Sequence, residues 1–409
     1  MHPHHRFGTM MVLLSVLILS TASLYGCGDD PQSDAQDGPS NNDGANNDVP
    51  NNGAENNDTG NNDAPNNDEP APLCDVEVEP RGDRMLGIDL LDTNQSGNFE
   101  TNLEHARELG IDFIALHVLW DQLEPDPGQF TDPFNAIEAL GQVAQANGWK
   151  FALTIRPIDL TGKTVPDDLE GTRFNDPIMA ERFNALVDHV LTLVPPEVLT
   201  SLQVGNEIDG FDTRAEHPEF WSDYGFFLAA VAEHIHTRYP GLKVGYTGTH
   251  HGLTQGALRD LGVWTALATV VDVLGVTYYP LESDFGVRDP QDVFEDFDAI
   301  AQEFPGMPLY FQEIGYQSSG TNRSNQRQQA EFFCQAFQAW DQHRDQIHLM
   351  NMVRLNDASH EGALELAGPY GLDNEEFTEY LRTLGLRAWE GEPKEAYDLV
   401  LEEVGKRGW

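Results

Sequence analysis

The sequence predicts an α/β fold, a (β/α)8 barrel, on three observations. Short β-rich runs alternate with amphipathic stretches from residue 84 onward, which is the pattern of successive βα units. Eight such units lie between residue 84 and the end of the chain, a length typical of a barrel with some enlarged loops. A doubly wound nucleotide-binding sheet would usually carry a GxGxxG or Walker pattern, and neither pattern is present in the sequence. The predicted strands are 85–89, 113–118, 150–155, 201–205, 243–246, 271–277, 309–312 and 348–354, and the main predicted helices are 102–109, 133–147, 180–194, 220–239, 290–304 and 324–344.

The charge balance excludes several classes of partner. The 409 residues include 68 acidic and 23 basic side chains, a formal net charge of -45. Nucleic acid is excluded as a partner because phosphate contacts require Lys and Arg. An acidic polysaccharide is disfavoured for the same reason, and because so acidic a surface repels its own copies we expect a monomer. Three cysteines are too few for a disulfide scaffold.

The N-terminus has the pattern of a lipoprotein signal peptide, residues 1–26. An apolar run at 10–19 is shorter than the roughly 20 residues of a membrane span and is followed by LYGC at 24–27. This stretch resembles the bacterial lipobox, which implies lipidation of Cys27; the alternative is ordinary cleavage near Ala22. We therefore expect a lipid-anchored protein of the bacterial cell envelope that faces the periplasm or the exterior.

Residues 27–73 form a low-complexity segment, and residues 74–409 form the predicted catalytic domain. Asn-Asn pairs recur at 41, 46, 51, 56, 61 and 66 with no apolar face, so the segment cannot offset the entropy cost of ordering its backbone. We expect a disordered tether. Beyond it, Cys74 and Cys334 either form a disulfide in an oxidising compartment or are two unrelated buried thiols.

Two apolar strands end in a glutamate. The fourth predicted strand leads into Asn206 and Glu207, and the seventh into Glu313. Active sites of these barrels lie at the carboxyl ends of the strands. Two carboxyl groups facing each other there suit retaining glycoside hydrolysis, in which one protonates the leaving oxygen and the other attacks the anomeric carbon. This chemistry requires neither a metal ion nor an organic cofactor.

These segments resemble the retaining glycosidases of glycoside hydrolase clan A, and residues 203–208 (QVGNEI) are most similar to the family 53 endo-β-1,4-galactanases or a related family. The strand-seven, strand-six and strand-two segments also resemble the clan, as does the closing stretch; they read QEIGY at 312–316, VLGVTYYP at 273–280, WDQLEP at 120–125 and LGLR at 384–387. The resemblance implies that Glu207 is the acid/base, Glu313 the nucleophile and Asn206 a ligand of the sugar 2-hydroxyl. It implies a polysaccharide or oligosaccharide substrate, with β-1,4-galactan as the named candidate.

Four further residues are candidate substrate-binding or supporting groups. The resemblance implies that Tyr278 donates a hydrogen bond to the nucleophile, although a strand register shifted by one residue would give this role to Tyr279. Arg156, at the end of strand three, either supports the nucleophile by its charge or pairs with an acidic residue. His250 is a candidate ligand of a substrate hydroxyl, and His250 with the adjacent histidine is an improbable metal pair because successive strand residues face opposite sides. Trp120 is the best candidate for a sugar-stacking surface.

One departure from the clan keeps a second function open. The clan commonly carries a tryptophan on strand eight beneath the bound sugar, whereas residues 351–357 read NMVRLND. The alternative is a glycan-binding surface lipoprotein whose barrel has lost turnover. A metal-dependent hydrolase is a further alternative, and it would need His and Asp ligands clustered at several strand ends.

Overall fold

A computed structural model of the chain describes residues 73–74, 78–91, 95, 97–160, 162–211, 213–372 and 374–409. The predicted signal peptide, Cys27 and nearly all of the predicted tether lie outside these residues. Within them, every helix is too short or too polar to cross a membrane.

The described residues contain a closed barrel of eight parallel strands, which confirms the predicted fold class. Each strand pairs with its neighbours in chain order, and the first strand also pairs with the last, with Leu86 opposite Met350. The strands are β1 Met85–Ile88, β2 Phe113–Leu119, β3 Lys150–Asp159, β4 Leu199–Asn206, β5 Val244–Thr249, β6 Val273–Tyr278, β7 Leu309–Ile314 and β8 Ile347–Met352. A two-residue strand, Gly162–Lys163, folds back on the end of β3.

Helices cover the outside of the barrel, and side-chain caps fix where several of them begin. Asn98, Asp176 and Asn325 each accept a hydrogen bond from an amide in the first turn of the helix that follows, which satisfies donors that the helix cannot pair itself. The helices that pack around the strands are Phe99–Glu108, Ala136–Asn147, Pro177–Leu193, Phe220–Arg238, Asp292–Glu303, Gln326–Gln342 and Glu395–Arg407. Shorter helices lie in the loops: Trp120–Leu123, His250–Thr254, Gly256–Asp260, Val263–Ala268, His360–Ala367 and Glu375–Arg382.

The amino end of the barrel is closed by side chains, so the open end is the carboxyl end. Inside the barrel, Phe113, Val273, Tyr310 and Leu349 pack in one buried layer. Outside the strands, a continuous apolar core fills the space beneath the helices. Chemistry is therefore confined to the mouth formed by the strand ends and their loops.

The beginning and the end of the domain are both tied to the helix that follows β7. Cys74 and Cys334 form a disulfide, with Cα atoms 5.8 Å apart. Of the two alternatives considered for these cysteines, the structure therefore shows the disulfide and not two separate thiols. On the C-terminal helix, Arg407 donates to both carboxylate oxygens of Asp341, and Arg84, just before β1, donates to the same carboxylate. These contacts hold the terminal segments against the barrel wall.

Candidate active site

Glu207 stands immediately after β4, in a backbone conformation that few non-glycine residues adopt. Its φ and ψ are 45° and 43°. The turn depends on Gly205, where a Cβ atom would lie 2.5 Å from Ile208 and 2.8 Å from the hydroxyl of Tyr224. Thr277 on β6 donates its hydroxyl hydrogen to Glu207 Oε1 at 2.7 Å. Strained residues of this kind concentrate at functional sites, where surrounding contacts hold them in place.

Glu313 lies near the end of β7, beside the strand that supports Glu207. In the β6–β7 register, Thr277 is the partner of Glu313, so the residue bonded to one glutamate is the strand neighbour of the other. The hydroxyl of Tyr279 donates to Glu313 Oε2 at 2.6 Å. The two glutamates therefore share one short stretch of β6 as their common support.

The prediction that Tyr278 donates to Glu313 is wrong by one residue. Its side chain is buried on the outer side of β6, where its hydroxyl donates to Asp296 Oδ2 at 2.7 Å. The cause is strand alternation: Thr277 faces the barrel mouth, so the next side chain faces the helices and Tyr279 faces inward again.

The surroundings of the two carboxyl groups give them different proton affinities. Burial raises the pKa of Glu207 to about 8, and the negative charge of Glu313 acts in the same direction. Burial also raises the pKa of Glu313, but the hydrogen bond from Tyr279 and the positive charge of Arg156 oppose that rise. Of the two, Glu207 is therefore the carboxyl group whose surroundings favour the protonated form, and Glu313 the one with groups beside it that favour ionisation.

Arg156 and Asn206 meet through a third carboxylate, that of Asp159 at the end of β3. Arg156 Nη1 donates to Asp159 Oδ2 at 2.8 Å, and Asn206 Nδ2 donates to Asp159 Oδ1 at 3.3 Å. Both alternatives considered for Arg156 therefore occur together. It pairs with an acidic residue, and its positive charge opposes the rise that burial causes in the pKa of Glu313. Sequence patterns did not single out Asp159.

Three histidines, His117, His250 and His251, line the cavity at the barrel mouth. His117 on β2, which the sequence analysis missed, lies with Nδ1 3.8 Å from Glu313 Oε1. Burial and the nearby Arg156 charge lower the pKa of His117 to about 3, so its ring is neutral. His250 begins the short helix after β5, and its Nε2 hydrogen-bonds the carbonyl oxygen of Asp296 at 2.7 Å. The predicted contact of His250 with a substrate hydroxyl would have to come from Nδ1.

Trp120 is not a sugar-stacking surface. Its side chain is 0% exposed and packs edge-on against Phe183 and parallel to Phe227, and its indole nitrogen donates to Glu124 Oε2 at 2.9 Å. The prediction was wrong because the tryptophan begins a short helix that turns the ring beneath the outer helices.

A cavity of about 650 Å³ brings these groups together at the barrel mouth. Both glutamates, Asn206, Arg156 and His250 line it, as does Tyr279. The sequence analysis did not single out three further lining residues, His117, Asp159 and Thr277. In the part of the chain that the structure describes, no group of three or more His, Cys, Asp or Glu side chains could hold a metal ion. The arrangement can provide one proton donor and one carboxylate nucleophile in the same cavity.

Solved structures similar to this chain include glycoside hydrolases. A GH5_18 variant from Bifidobacterium longum subsp. longum in complex with Manβ1-4GlcNAc has 15% identity and a TM-score of 0.59, over 80% of this chain and 79% of that chain. The exo-β-1,4-mannosidase Op5Man5 from Opitutaceae bacterium strain TAV5 has 16% identity and a TM-score of 0.56, over 80% and 60%. A family 39 glycoside hydrolase from Bacteroides cellulosilyticus WH2 has 14% identity and a TM-score of 0.56, over 80% and 64%.

At these identities the likeness establishes a shared barrel fold. No protein-family model matches the sequence, and no curated protein does. The finer resemblance to family 53 galactanases stays a prediction.

Proposed function

We propose that this chain is a retaining glycoside hydrolase that cleaves a neutral β-linked glycan by double displacement. The observation that carries the proposal is the pair formed by Glu207 and Glu313, each fixed by its own hydroxyl donor, Thr277 and Tyr279, from alternate positions at the end of β6. Glu207, whose pKa is raised, is the proton donor to the leaving oxygen. Glu313, which Tyr279 and Arg156 hold towards its ionised form, is the nucleophile.

The electrostatic coupling of the two glutamates also suits the second half of the reaction. When Glu313 attacks the anomeric carbon, a C–O bond forms, the glycosidic bond breaks, and the proton of Glu207 moves to the leaving oxygen. The ester formed at Glu313 carries no negative charge, so one of the causes that raise the pKa of Glu207 disappears. Glu207 can then accept a proton from the water that hydrolyses the ester.

Two substrates come first in the tests. The strand-four resemblance favours β-1,4-galactan, and the sugar ligand and activity named for two of the similar structures favour β-mannosides. The experiment measures sugar release by the purified chain from galactan, mannan, β-mannobiose, xylan and β-glucan. Glu207→Ala and Glu313→Ala are tested beside it, with Glu104→Ala, an exposed glutamate on an outer helix, as the matched control.

Rescue by azide assigns the two roles separately. With an activated aryl β-glycoside, Glu207→Ala should release a β-glycosyl azide, because azide attacks the ester on Glu313. Glu313→Ala should instead release an α-glycosyl azide, because azide attacks the substrate directly. Activity that survives both alanine substitutions would sink the mechanism, and binding of a glycan without turnover would favour the alternative of a non-catalytic lectin-like barrel.

We further propose that Cys27 is lipidated and anchors a monomeric protein to the bacterial envelope. The LYGC stretch and the apolar run before it support this proposal. Expression in a bacterial host followed by detergent phase partitioning tests it. The wild-type chain should enter the detergent phase and Cys27→Ser should not; equal partitioning of both would overturn it.

A further inference from the structure

The cavity contains an aromatic surface that comes from neither of the expected positions. Trp120 is buried away from the cavity, and β8 ends without a tryptophan. Aromatic rings in ligand cavities provide broad apolar faces at little conformational cost. Other aromatic residues that line the cavity must therefore provide the face against which a sugar packs.

Three short helices after β8 form a cap over one side of the mouth: His360–Ala367, the 3-10 helix Gly368–Tyr370, and Glu375–Arg382. We call them the cap helices. Phe377 and Tyr380 from the last of them are buried in a small apolar cluster separate from the barrel core. The ring of Phe377 lies 4.8 Å from that of Phe285, and the ring of Tyr380 lies 5.7 Å from that of Tyr279. The cap is thus packed directly on the tyrosine that supports Glu313.

Tyr370 is the member of this aromatic group that remains accessible. Its ring packs edge-on against Phe377 at 5.3 Å, yet the residue is 47% exposed and lines the same cavity as the two glutamates. Leu372, which is also exposed, continues the apolar lip beside it. An exposed aromatic ring that packs on one side against a buried ring is a rigid apolar surface, and its free face is available to a ligand.

The electrostatics of Tyr370 link it to the reacting groups. Partial burial raises the pKa of its phenol, and the negative charges of Glu207, Asp159 and Glu313 raise it further. The hydroxyl therefore stays protonated at any working pH and can donate a hydrogen bond. The side chain offers an apolar face and a donor at the edge of one cavity.

We propose that Tyr370 is a specificity-determining residue, the aromatic face against which a pyranosyl unit of the β-linked substrate packs beside the Glu207–Glu313 pair. The inference rests on the proposed function and deepens it. The cap helices take over the part that a strand-eight tryptophan plays in the resembling enzymes, and they do so from a segment that follows the barrel strand itself.

The test compares Tyr370→Ala with Tyr370→Phe, and with Phe226→Ala as the matched control. Phe226 is a more exposed aromatic residue, 65% accessible on the outer helix Phe220–Arg238, and it is not part of the cavity. Two readouts are measured: KM and kcat on the best glycan, and binding of the corresponding disaccharide to the same variants in a Glu313→Gln background by calorimetry. The second readout needs no turnover.

We expect Tyr370→Ala to raise KM and weaken disaccharide binding about 3- to 10-fold, with kcat changed less than 2-fold. Tyr370→Phe should retain most of the binding, since the ring remains, and Phe226→Ala should match the parent. Unchanged KM and binding in Tyr370→Ala would overturn the inference while leaving the proposed function intact. A chain that hydrolyses no glycan but binds one through Tyr370 would overturn the proposed function and leave only the sugar contact of Tyr370 standing, and a chain that binds none would overturn both.

Discussion

Replacing Tyr279 with phenylalanine should move the acidic limb of the pH–rate profile to higher pH. The substitution removes the 2.6 Å hydrogen bond to Glu313 Oε2 and leaves the ring to pack against Tyr380. A hydrogen bond to a charged group contributes about 1.5–3 kcal/mol, and about 1.4 kcal/mol corresponds to one pKa unit. Because the hydroxyl donates to the ionised carboxylate, its loss favours the protonated form and should raise the pKa of Glu313 by about 1–2 units.

The assay is kcat/KM against pH, since its limbs report the titration of the free enzyme. In the proposed mechanism activity requires Glu313 ionised and Glu207 protonated, so the acidic limb shifts upward while the basic limb, set by Glu207, changes less. The pH range between the two limbs therefore narrows, and the maximum value of kcat/KM falls. Because the two groups interact, the limbs belong to the pair rather than to either residue alone.

Tyr278→Phe is the matched control. It removes a hydroxyl from the adjacent residue, but that hydroxyl donates to Asp296 on the outer side of β6. We expect reduced stability and an unchanged acidic limb. An acidic limb identical in wild type and Tyr279→Phe, or one displaced by Tyr278→Phe instead, would refute the assignment of Tyr279.

Three further substitutions test other parts of the structure. Trp120→Phe removes the indole donor to Glu124 and should lower the free energy of unfolding in urea by about 1–3 kcal/mol, with KM unchanged. A raised KM at wild-type stability would show instead that Trp120 contacts the sugar. Cys74→Ser should lower the thermal midpoint, with a loss of about 2–4 kcal/mol, and an unchanged midpoint would contradict a stabilising disulfide. Lys394→Met leaves the buried Asp357 without its 2.6 Å partner and should lower the free energy of unfolding in urea by about 3–5 kcal/mol; wild-type stability would show that the pair is dispensable.

The barrel strands could be predicted because each is a short run rich in apolar residues and bounded by polar loops. All eight predicted runs overlap the observed strands, with errors confined to the ends. The run at 150–155 is the furthest from its strand, since β3 continues to Asp159. That extension includes a register irregularity that places Asp159 opposite Asn206. Periodicity cannot locate such an irregularity, because it depends on contacts with the neighbouring strand.

The candidate site was predictable to the level of strand ends and no further. Glu207, Asn206 and Glu313 were found because each directly follows or ends an apolar run, and all three line one cavity. Tyr278 was misplaced because two tyrosines stand side by side, and only the orientation of Thr277 towards Glu207 determines which of them faces inward. His117 carried a usable signal, as a polar residue near the end of a strand that is otherwise apolar.

The aromatic side of the cavity could not be located from sequence because it depends on tertiary contacts of a segment with no barrel periodicity. Tyr370 and Phe377 belong to cap helices that were not predicted, and their place over the mouth is fixed by packing against Phe285 and Tyr279. Trp120 looked suitable for the opposite reason: it follows a barrel strand directly, yet the chain turns its ring into the outer core. Position relative to a strand end therefore identifies the charged groups of this cavity, whose backbone the barrel fixes. It does not identify the apolar surfaces, because loop helices can deliver a ring to the mouth from distant positions in the chain.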